Sequence, residues 1–314
     1  MATTLTASTR VEKVGKAGRQ QRSERSAKWS RRAPLLPALI FAIIVTQVPF
    51  LVTLWYSLQS WNLVRPGSQH FVGLSNYADV FADSTFRGAA VNTIVITGSC
   101  VLISMLFGIG LAVLLDRKFI GRSIVRTLLI TPFLVMPVAG ALLWKTTMFD
   151  PVYGILNYVL SPLGAGTTEW ITSFPLVSVV TALVWEWTPF MMLLVLAGLQ
   201  AQPKDVLEAA QVDGATGWRT FVHVTLPHLR RYIELAVLLG AIYVVNTFDQ
   251  IYMMTQGGPG TASSNLPFYI YQRAFLGFDV GQSAAMGVVV VVGTIIVATV
   301  ALRVIFKSFA VEES

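Results

Sequence analysis

The stretch of sequence that decides the fold runs from Gln200 to Pro227 and reads QAQPKDVLEAAQVDGATGWRTFVHVTLP. It lies between two apolar runs, residues 174–199 and 232–255. Each run is long enough to cross the hydrocarbon core of a bilayer as a helix. A simple hairpin between two such helices needs fewer residues, so we expect this loop to carry structure of its own.

The residues of this loop that favour helix starts and helix ends predict two short helices. Pro203 suits the first turn of a helix, and residues 206–213 are good or fair helix formers. Gly214 can take the left-handed conformation that ends a helix. Thr216 can cap a second short helix, which we expect Pro227 to terminate.

The composition of the chain places it in the membrane class. Of its 314 residues, 54% are hydrophobic and 12% are charged, about half the charged share of soluble proteins. We predict an all-α membrane protein with six transmembrane helices. The six apolar runs are Pro34–Leu58, Ala89–Leu115, Ser123–Met148, Phe174–Leu199, Tyr232–Thr255 and Ser283–Phe306.

The basic residues predict how the chain is oriented. If the six runs span the membrane, 19 Lys and Arg residues lie on one side and 4 on the other. The positive-inside rule then places both termini in the cytoplasm of a multi-pass protein of the cell (inner or plasma) membrane. The net charge of +7 is explained by the basic residues on the cytoplasmic side of the lipid membrane. Nucleic acid is not needed as a partner. Residues 1–32 are polar and basic and are expected to be a disordered cytoplasmic tail, and residues 33–309 the transmembrane domain.

The loop resembles the signature loop of the permeases of binding-protein-dependent ABC importers. Its spacing is Glu-Ala-Ala, three residues, Gly, nine residues, then Val-x-Leu-Pro, where the family pattern has Ile in place of Val224. The matching residues are Glu208, Ala209, Ala210, Asp213, Gly214, Leu226 and Pro227. The match is a motif set in its expected context, a loop between two spans.

The resemblance implies the type I permease fold of ABC importers, with a core at residues 89–309 and a coupling loop at residues 200–228 that docks into an ATPase. It also implies three partners: a second, related permease that completes a heterodimer, a homodimeric ATP-binding subunit, and an extracytoplasmic solute-binding protein. The dipeptide Gly-Lys occurs only at Gly15-Lys16, outside any Walker A pattern. We therefore expect no ATPase site, catalytic residue, metal or cofactor in this chain, and ATP and Mg²⁺ to be bound by the partner ATPase.

A narrower resemblance concerns the solute. The Gly-Gly-Pro of residues 257–259 is similar to one of the two subunits of maltose-type carbohydrate permeases. The stretches Trp185–Leu193 and Thr255–Pro267 look similar to permeases for sugar alcohols such as sorbitol and mannitol. A disaccharide or a glycerol-phosphate-type solute is the alternative, and a secondary transporter or a non-transporting scaffold is a different class of protein altogether.

Two stripes of residues are candidates for the solute site. Leu183, Glu186, Trp187 and Phe190 share one face of the fourth span at helical spacing. The same spacing recurs in the fifth span at Tyr243, Asn246, Thr247 and Gln250. The family's sugar site lies on these two helices, and carboxylates, amides and aromatic faces suit a polyhydroxy solute. Hydrogen bonding between helices is the alternative interpretation, because a carboxylate inside a membrane normally faces a partner or a cavity.

Overall fold

The computed structural model describes residues 36–164 and 167–312. The predicted tail at residues 1–32 lies outside these ranges. The described residues divide into two units, with the boundary between Trp55 and Tyr56. The described part of the first unit belongs to one helix, α1 (Leu36–Ser57), which is predominantly apolar and contains Pro49.

The described residues of the second unit form helices joined by loops, with one short pair of strands. The antiparallel strands β1 (Gln59–Ser60) and β2 (His70–Phe71) pair Gln59 with Phe71. The helices that follow are α2 (Ser75–Ala82), α3 (Ser84–Asp116), α4 (Arg122–Leu134), α5 (Pro137–Leu143), α6 (Ile155–Leu160), α7 (Trp170–Ser173), α8 (Pro175–Gln200), α9 (Lys204–Val212), α10 (Gly217–Thr220), α11 (Leu226–Val244), α12 (Leu266–Tyr271) and α13 (Val280–Glu312). Turns of π-helix lie at Trp144–Met148, Phe221–Thr225, Ile251–Thr255 and Gln272–Leu276, and a 3₁₀ turn lies at Ser161–Leu163.

The six predicted apolar runs are all largely helical, and the prediction of an all-α membrane protein is confirmed. Among the described residues, α1, α3 and α8 are long and apolar enough to cross a membrane. Helices α4 and α5, with the π-helical turn after α5, form a pair bent by 100° that can count as a fourth span. The fifth run forms α11, which is followed by a break. The sixth run lies in α13, of which the part Val280–Ile296 is apolar but shorter than a full span.

Two prolines account for the bend in the third run. Pro132 lies inside α4 near its end, and Pro137 begins α5. The residues before Pro137 take extended backbone angles at Val135 and Met136. A residue that precedes proline is driven out of the helical region, so the run cannot continue as one straight helix.

Helices α3, α8 and α11 pack around one apolar core. It includes Met105 and Ala112 of α3, Met191 and Val195 of α8, and Ala236 of α11. The row of small residues Ser104, Gly108 and Ala112 is buried in this interface. The backbones approach closely there, because a Cβ atom added at Gly108 would lie 2.8 Å from Met191 Cβ. This close packing holds α8, which carries Glu186, at a defined height beside α3.

Candidate functional site

Glu186 and Gln250 form a buried polar pair between α8 and the stretch that follows α11. Gln250 Nε2 donates a hydrogen bond of 2.5 Å to Glu186 Oε2. The side chains are nearly inaccessible, with 9% of Glu186 and 4% of Gln250 exposed. A buried carboxylate needs a hydrogen-bond donor, and the amide provides one here. The structure thus brings together two of the predicted site residues that are 64 positions apart in the chain.

An aromatic cluster lies beside this pair. Trp187 stacks on Tyr243 with ring centroids 5.6 Å apart, and Tyr243 remains 58% exposed. Phe190 contacts Trp187 at 5.7 Å between ring centroids. Phe133, from α4, lies 5.7 Å from Trp187 and 5.6 Å from Phe190. The cluster therefore joins α4, α8 and α11 and presents the open ring of Tyr243.

Phe133 is a member of this cluster that the sequence analysis missed. Its signal was the neighbouring Pro132, which lies in the last turn of α4, just before the break at Val135 and Met136. A bend exposes the side chains next to it to a second helix, here α8. The sequence marks the bend but does not say which partner the residue meets.

The second predicted stripe does not lie on one continuous helix. Helix α11 ends at Val244, and regular helix is absent at residues 245–248 before it resumes at Asp249. Asn246 is exposed, and its amide donates to the Ile242 carbonyl at 2.8 Å. The Thr247 carbonyl, freed from the helical ladder, accepts a hydrogen bond of 2.5 Å from Asn265 Nδ2. The spacing argument assumed one unbroken helix and is wrong for this stripe. At the break, the N-cap residue of α12 binds a carbonyl that has left the helical hydrogen-bond pattern.

The predicted coupling loop contains the first expected helix with its expected end. Helix α9 is followed by Gly214 at φ 78°. The Ala215 amide donates to the Ala210 carbonyl, and the Gly214 amide to the Gln211 carbonyl, both at 3.0 Å. These two bonds define the Schellman end of a helix. Glu208, Ala209, Asp213 and Gly214 are exposed, and Ala210 is half-buried.

The second helix of the loop does not end at Pro227, which corrects our expectation. Residues 217–244 are continuously helical, through α10, a π-helical turn and α11. The Leu226 amide bonds the Phe221 carbonyl five residues back, and Pro227 follows in the first turn of α11. The wider turn accommodates the proline, which has no N–H of its own to place. Thr216 occupies the N-cap position as expected, although no hydrogen bond from its side chain caps the helix.

Three polar residues connect the start of α3 to α12 and the turn after it. Arg273 Nη2 donates to Asp83 Oδ2 at 3.0 Å, and Tyr269 Oη donates to the same oxygen. Arg273 Nε donates to Tyr269 Oη at 2.9 Å. Burial raises the pKa of the Asp83 carboxyl, but hydrogen bonds from Tyr269, the Thr85 amide and Arg273 outweigh it, so that this pKa lies below its ordinary value. The ionised form of Asp83 is thus part of the folded structure.

The chain belongs to the family described as "Binding-protein-dependent transport system inner membrane component", whose model matches residues 104–309. Among curated relatives, the probable ABC transporter permease protein y4oQ of Sinorhizobium fredii is 36% identical over 278 residues and covers 88% of this chain and 90% of that protein. The trehalose transport system permease protein SugA of Mycobacterium tuberculosis is 37% identical over 254 residues and covers 81% of each chain.

The fold is that of a solved ABC importer. A chain in the crystal structure of a bacterial ABC transporter for the acidic polysaccharide alginate superposes with a TM-score of 0.78 at 22% identity, covering 92% of this chain and 99% of that one. The type I ABC importer fold is therefore confirmed. The protein is a permease subunit of a carbohydrate ABC importer, a transport component of the membrane and not an enzyme. Family membership sets aside the secondary transporter and the scaffold.

Proposed function

We propose that this chain forms half of the translocation pathway for a small neutral sugar or sugar alcohol, with the solute contacts on α8 and the stretch after α11. The observation that carries the proposal is the buried Glu186–Gln250 pair beside the exposed ring of Tyr243. Aromatic faces cover the C–H surface of a sugar, and amides and carboxylates bind its hydroxyls. The full set of proposed contacts is Glu186, Trp187, Phe190, Tyr243, Asn246, Thr247 and Gln250.

These residues differ in exposure. Tyr243 and Asn246 are exposed, Trp187 and Phe190 are half-buried, and Glu186, Thr247 and Gln250 are buried. Trp187 stacks on Tyr243. Glu186 and Gln250 are joined by one hydrogen bond, from Gln250 Nε2 to Glu186 Oε2. A solute hydroxyl that reaches them exchanges one hydrogen bond for another, which favours neutral polyhydroxy compounds over apolar ones.

The solute itself has two candidate classes. The similarity of Trp185–Leu193 and Thr255–Pro267 to polyol permeases supports a sugar alcohol. A disaccharide is the second candidate, and the relationship to a trehalose permease favours it. Thermal melting of the cognate binding protein against a panel of hexitols, trehalose, maltose and glycerol 3-phosphate separates the classes, because a bound ligand raises the melting temperature.

The energy for transport comes, in this proposal, from a homodimeric ATP-binding subunit that binds ATP and Mg²⁺. Helix α9 and the turn at Gly214 dock into that subunit, while a second permease completes the pathway and an extracytoplasmic binding protein delivers the solute. Support comes from the exposed surface of Glu208, Ala209 and Gly214, which has little side-chain bulk around Ala209 and Gly214. The positive-inside distribution supports cytoplasmic termini and a cytoplasmic docking loop.

Uptake by variant complexes tests the solute site. We expect Tyr243→Ala, Asn246→Ala, Thr247→Ala and Glu186→Gln to lower solute uptake or change solute preference while the complex keeps its basal ATPase activity. The control is Thr181→Ala, on the same helix as Glu186, whose hydroxyl donates to the Val177 carbonyl. Wild-type uptake and preference in all four variants would show that these residues serve packing.

A further inference from the structure

The stretch Val245–Thr255, which we name the suspended segment, lacks the continuous hydrogen bonding of a span. It begins with a helix end at residues 245–248 and finishes with the π-helical turn Ile251–Thr255. Gln256, at φ 50°, follows it. Helix ends and wide turns leave backbone carbonyls without partners of their own, so this segment depends on groups supplied by other elements.

Three side chains from three different elements anchor the segment along its length. Asn265, the N-cap residue of α12, donates to the Thr247 carbonyl near the start. Glu186 of α8 binds the Gln250 side chain in the middle. Lys145, in the turn after α5, donates from Nζ to the Met253 carbonyl at 3.0 Å near the end.

The Lys145 contact connects two places where a helical run is interrupted. Its own backbone belongs to the π-helical turn Trp144–Met148 of the bent third run, and Met253 belongs to the π-helical turn of the suspended segment. A cation at the carbonyl end of a helical turn is favoured by the local dipole. Lys145 is half-buried, and a buried ammonium group needs a hydrogen-bond acceptor, which the Met253 carbonyl provides.

We infer that Lys145 is a positioning residue that fixes the suspended segment, and through it sets Gln250 opposite Glu186. Met253 lies three positions after Gln250 within the same short helical stretch, so holding the Met253 carbonyl restricts the axial and rotational freedom of Gln250. The consequence for transport rests on the proposed solute site. The anchoring of the suspended segment by Lys145 does not rest on that site.

The anchoring is tested by hydrogen exchange in the purified complex of both permeases and the ATPase. We expect Lys145→Met to speed the exchange of amides in peptides covering 245–258 by about fivefold, the factor for one hydrogen bond of about 1 kcal/mol. Lys145→Arg, which keeps a donor, should restore slow exchange. Lys118→Met, at an exposed lysine between α3 and α4, is the matched control and should leave exchange unchanged. Exchange in the segment that is the same in Lys145→Met as in the wild type would overturn the inference.

Uptake kinetics separate this inference from the proposed function. If both hold, Lys145→Met raises the apparent KM for solute delivery with a smaller effect on maximal ATPase activity, and adding Gln250→Ala to it causes little further loss. Faster exchange with unchanged KM and solute preference in Lys145→Met and in Gln250→Ala would support the anchor and contradict the solute site. Fully additive losses in the double variant would show that Lys145 acts independently of Gln250 and would overturn its positioning role.

Discussion

Gly108 shows how one atom sets the spacing of two helices. A Cβ atom placed there would lie 2.8 Å from Met191 Cβ and 2.9 Å from the Met192 amide nitrogen. The second of these is backbone, which cannot rotate away as a flexible side-chain end can. The size of residue 108 therefore controls how closely α3 and α8 approach.

We expect Gly108→Ala to destabilise the permease by about 1–3 kcal/mol through overpacking. The thermal unfolding midpoint of the purified complex measures this loss. Gly110→Ala is a suitable control because it lies on the same helix with open space around its added Cβ. Equal midpoints for the two variants would mean that α3 and α8 separate at little cost.

The contacts of Asp83 predict a dependence of stability on pH. An aspartate in the unfolded chain titrates at about pH 3.9. The folded pKa is lower, so the stabilisation is complete above that value and is lost as the pH falls through the folded pKa. We expect the gap in melting temperature between the wild type and Asp83→Asn to shrink as the buffer is acidified below about pH 4.

The control for this measurement is Asp79→Asn, at an exposed position of α2. It should keep the pH dependence of the wild type. A gap between the wild type and Asp83→Asn that stays constant on acidification would argue against an ionised Asp83 held by Tyr269 and Arg273.

At the scale of elements, the end of α9 is controlled by backbone conformation more than by packing. Gly214 has φ 78°, and nothing lies within 4 Å of the Cβ that a larger residue would add. A substitution there strains the turn without causing a clash. The proposed docking surface around Glu208 and Ala209 depends on that turn.

Gly214→Val should strain the turn by about 1–3 kcal/mol and uncouple ATP hydrolysis from uptake while the permease stays in the membrane. Gly214→Asn should be milder, because asparagine tolerates left-handed angles. Binding-protein-stimulated ATPase activity and uptake are measured in reconstituted complexes. Gly217→Val, three residues away with open space and no positive φ, is the control. Wild-type stimulated ATPase activity in Gly214→Val would refute a docking role for this turn.

At the scale of the whole molecule, the proposed topology assigns each loop to one side of the membrane. Ser263 suggests itself as a labelling site, but it is fully buried and bonds Thr255 and the Gly258 carbonyl. Thr261 is an exposed position on the same loop as Ser263, and Gln69 is exposed on the loop between α1 and α2. Thr216 is exposed in the proposed docking loop.

Single cysteines at these three positions, in a Cys100→Ser background, test the topology. Gln69→Cys and Thr261→Cys should react in intact cells with a maleimide that does not cross the membrane. Thr216→Cys should react after the membrane is permeabilised, which also controls for its accessibility. Reaction at Thr216→Cys in intact cells would reverse the orientation.

The sequence by itself determined the features that depend on local chemistry. Apolar runs predicted the helices because only a helix satisfies its own backbone inside a membrane. Gly214 predicted the end of α9, because a glycine acts on its own backbone angles. The break before Pro137 has an equally local cause, because proline drives the preceding residue out of the helical region. The family followed from the spacing around Glu208 and Gly214, since that motif is contiguous in the chain.

Only the tertiary structure decided what happens between elements. At the break after Val244, the Thr247 carbonyl is bound by Asn265, which is 18 residues away in the chain. The continuation of the helix through Pro227 depends on a π-helical turn that no residue pattern marked. The pairing of Glu186 with Gln250 and of Lys145 with Met253 depends on how the helices pack, because a side chain inside a membrane takes whichever partner the fold brings within reach.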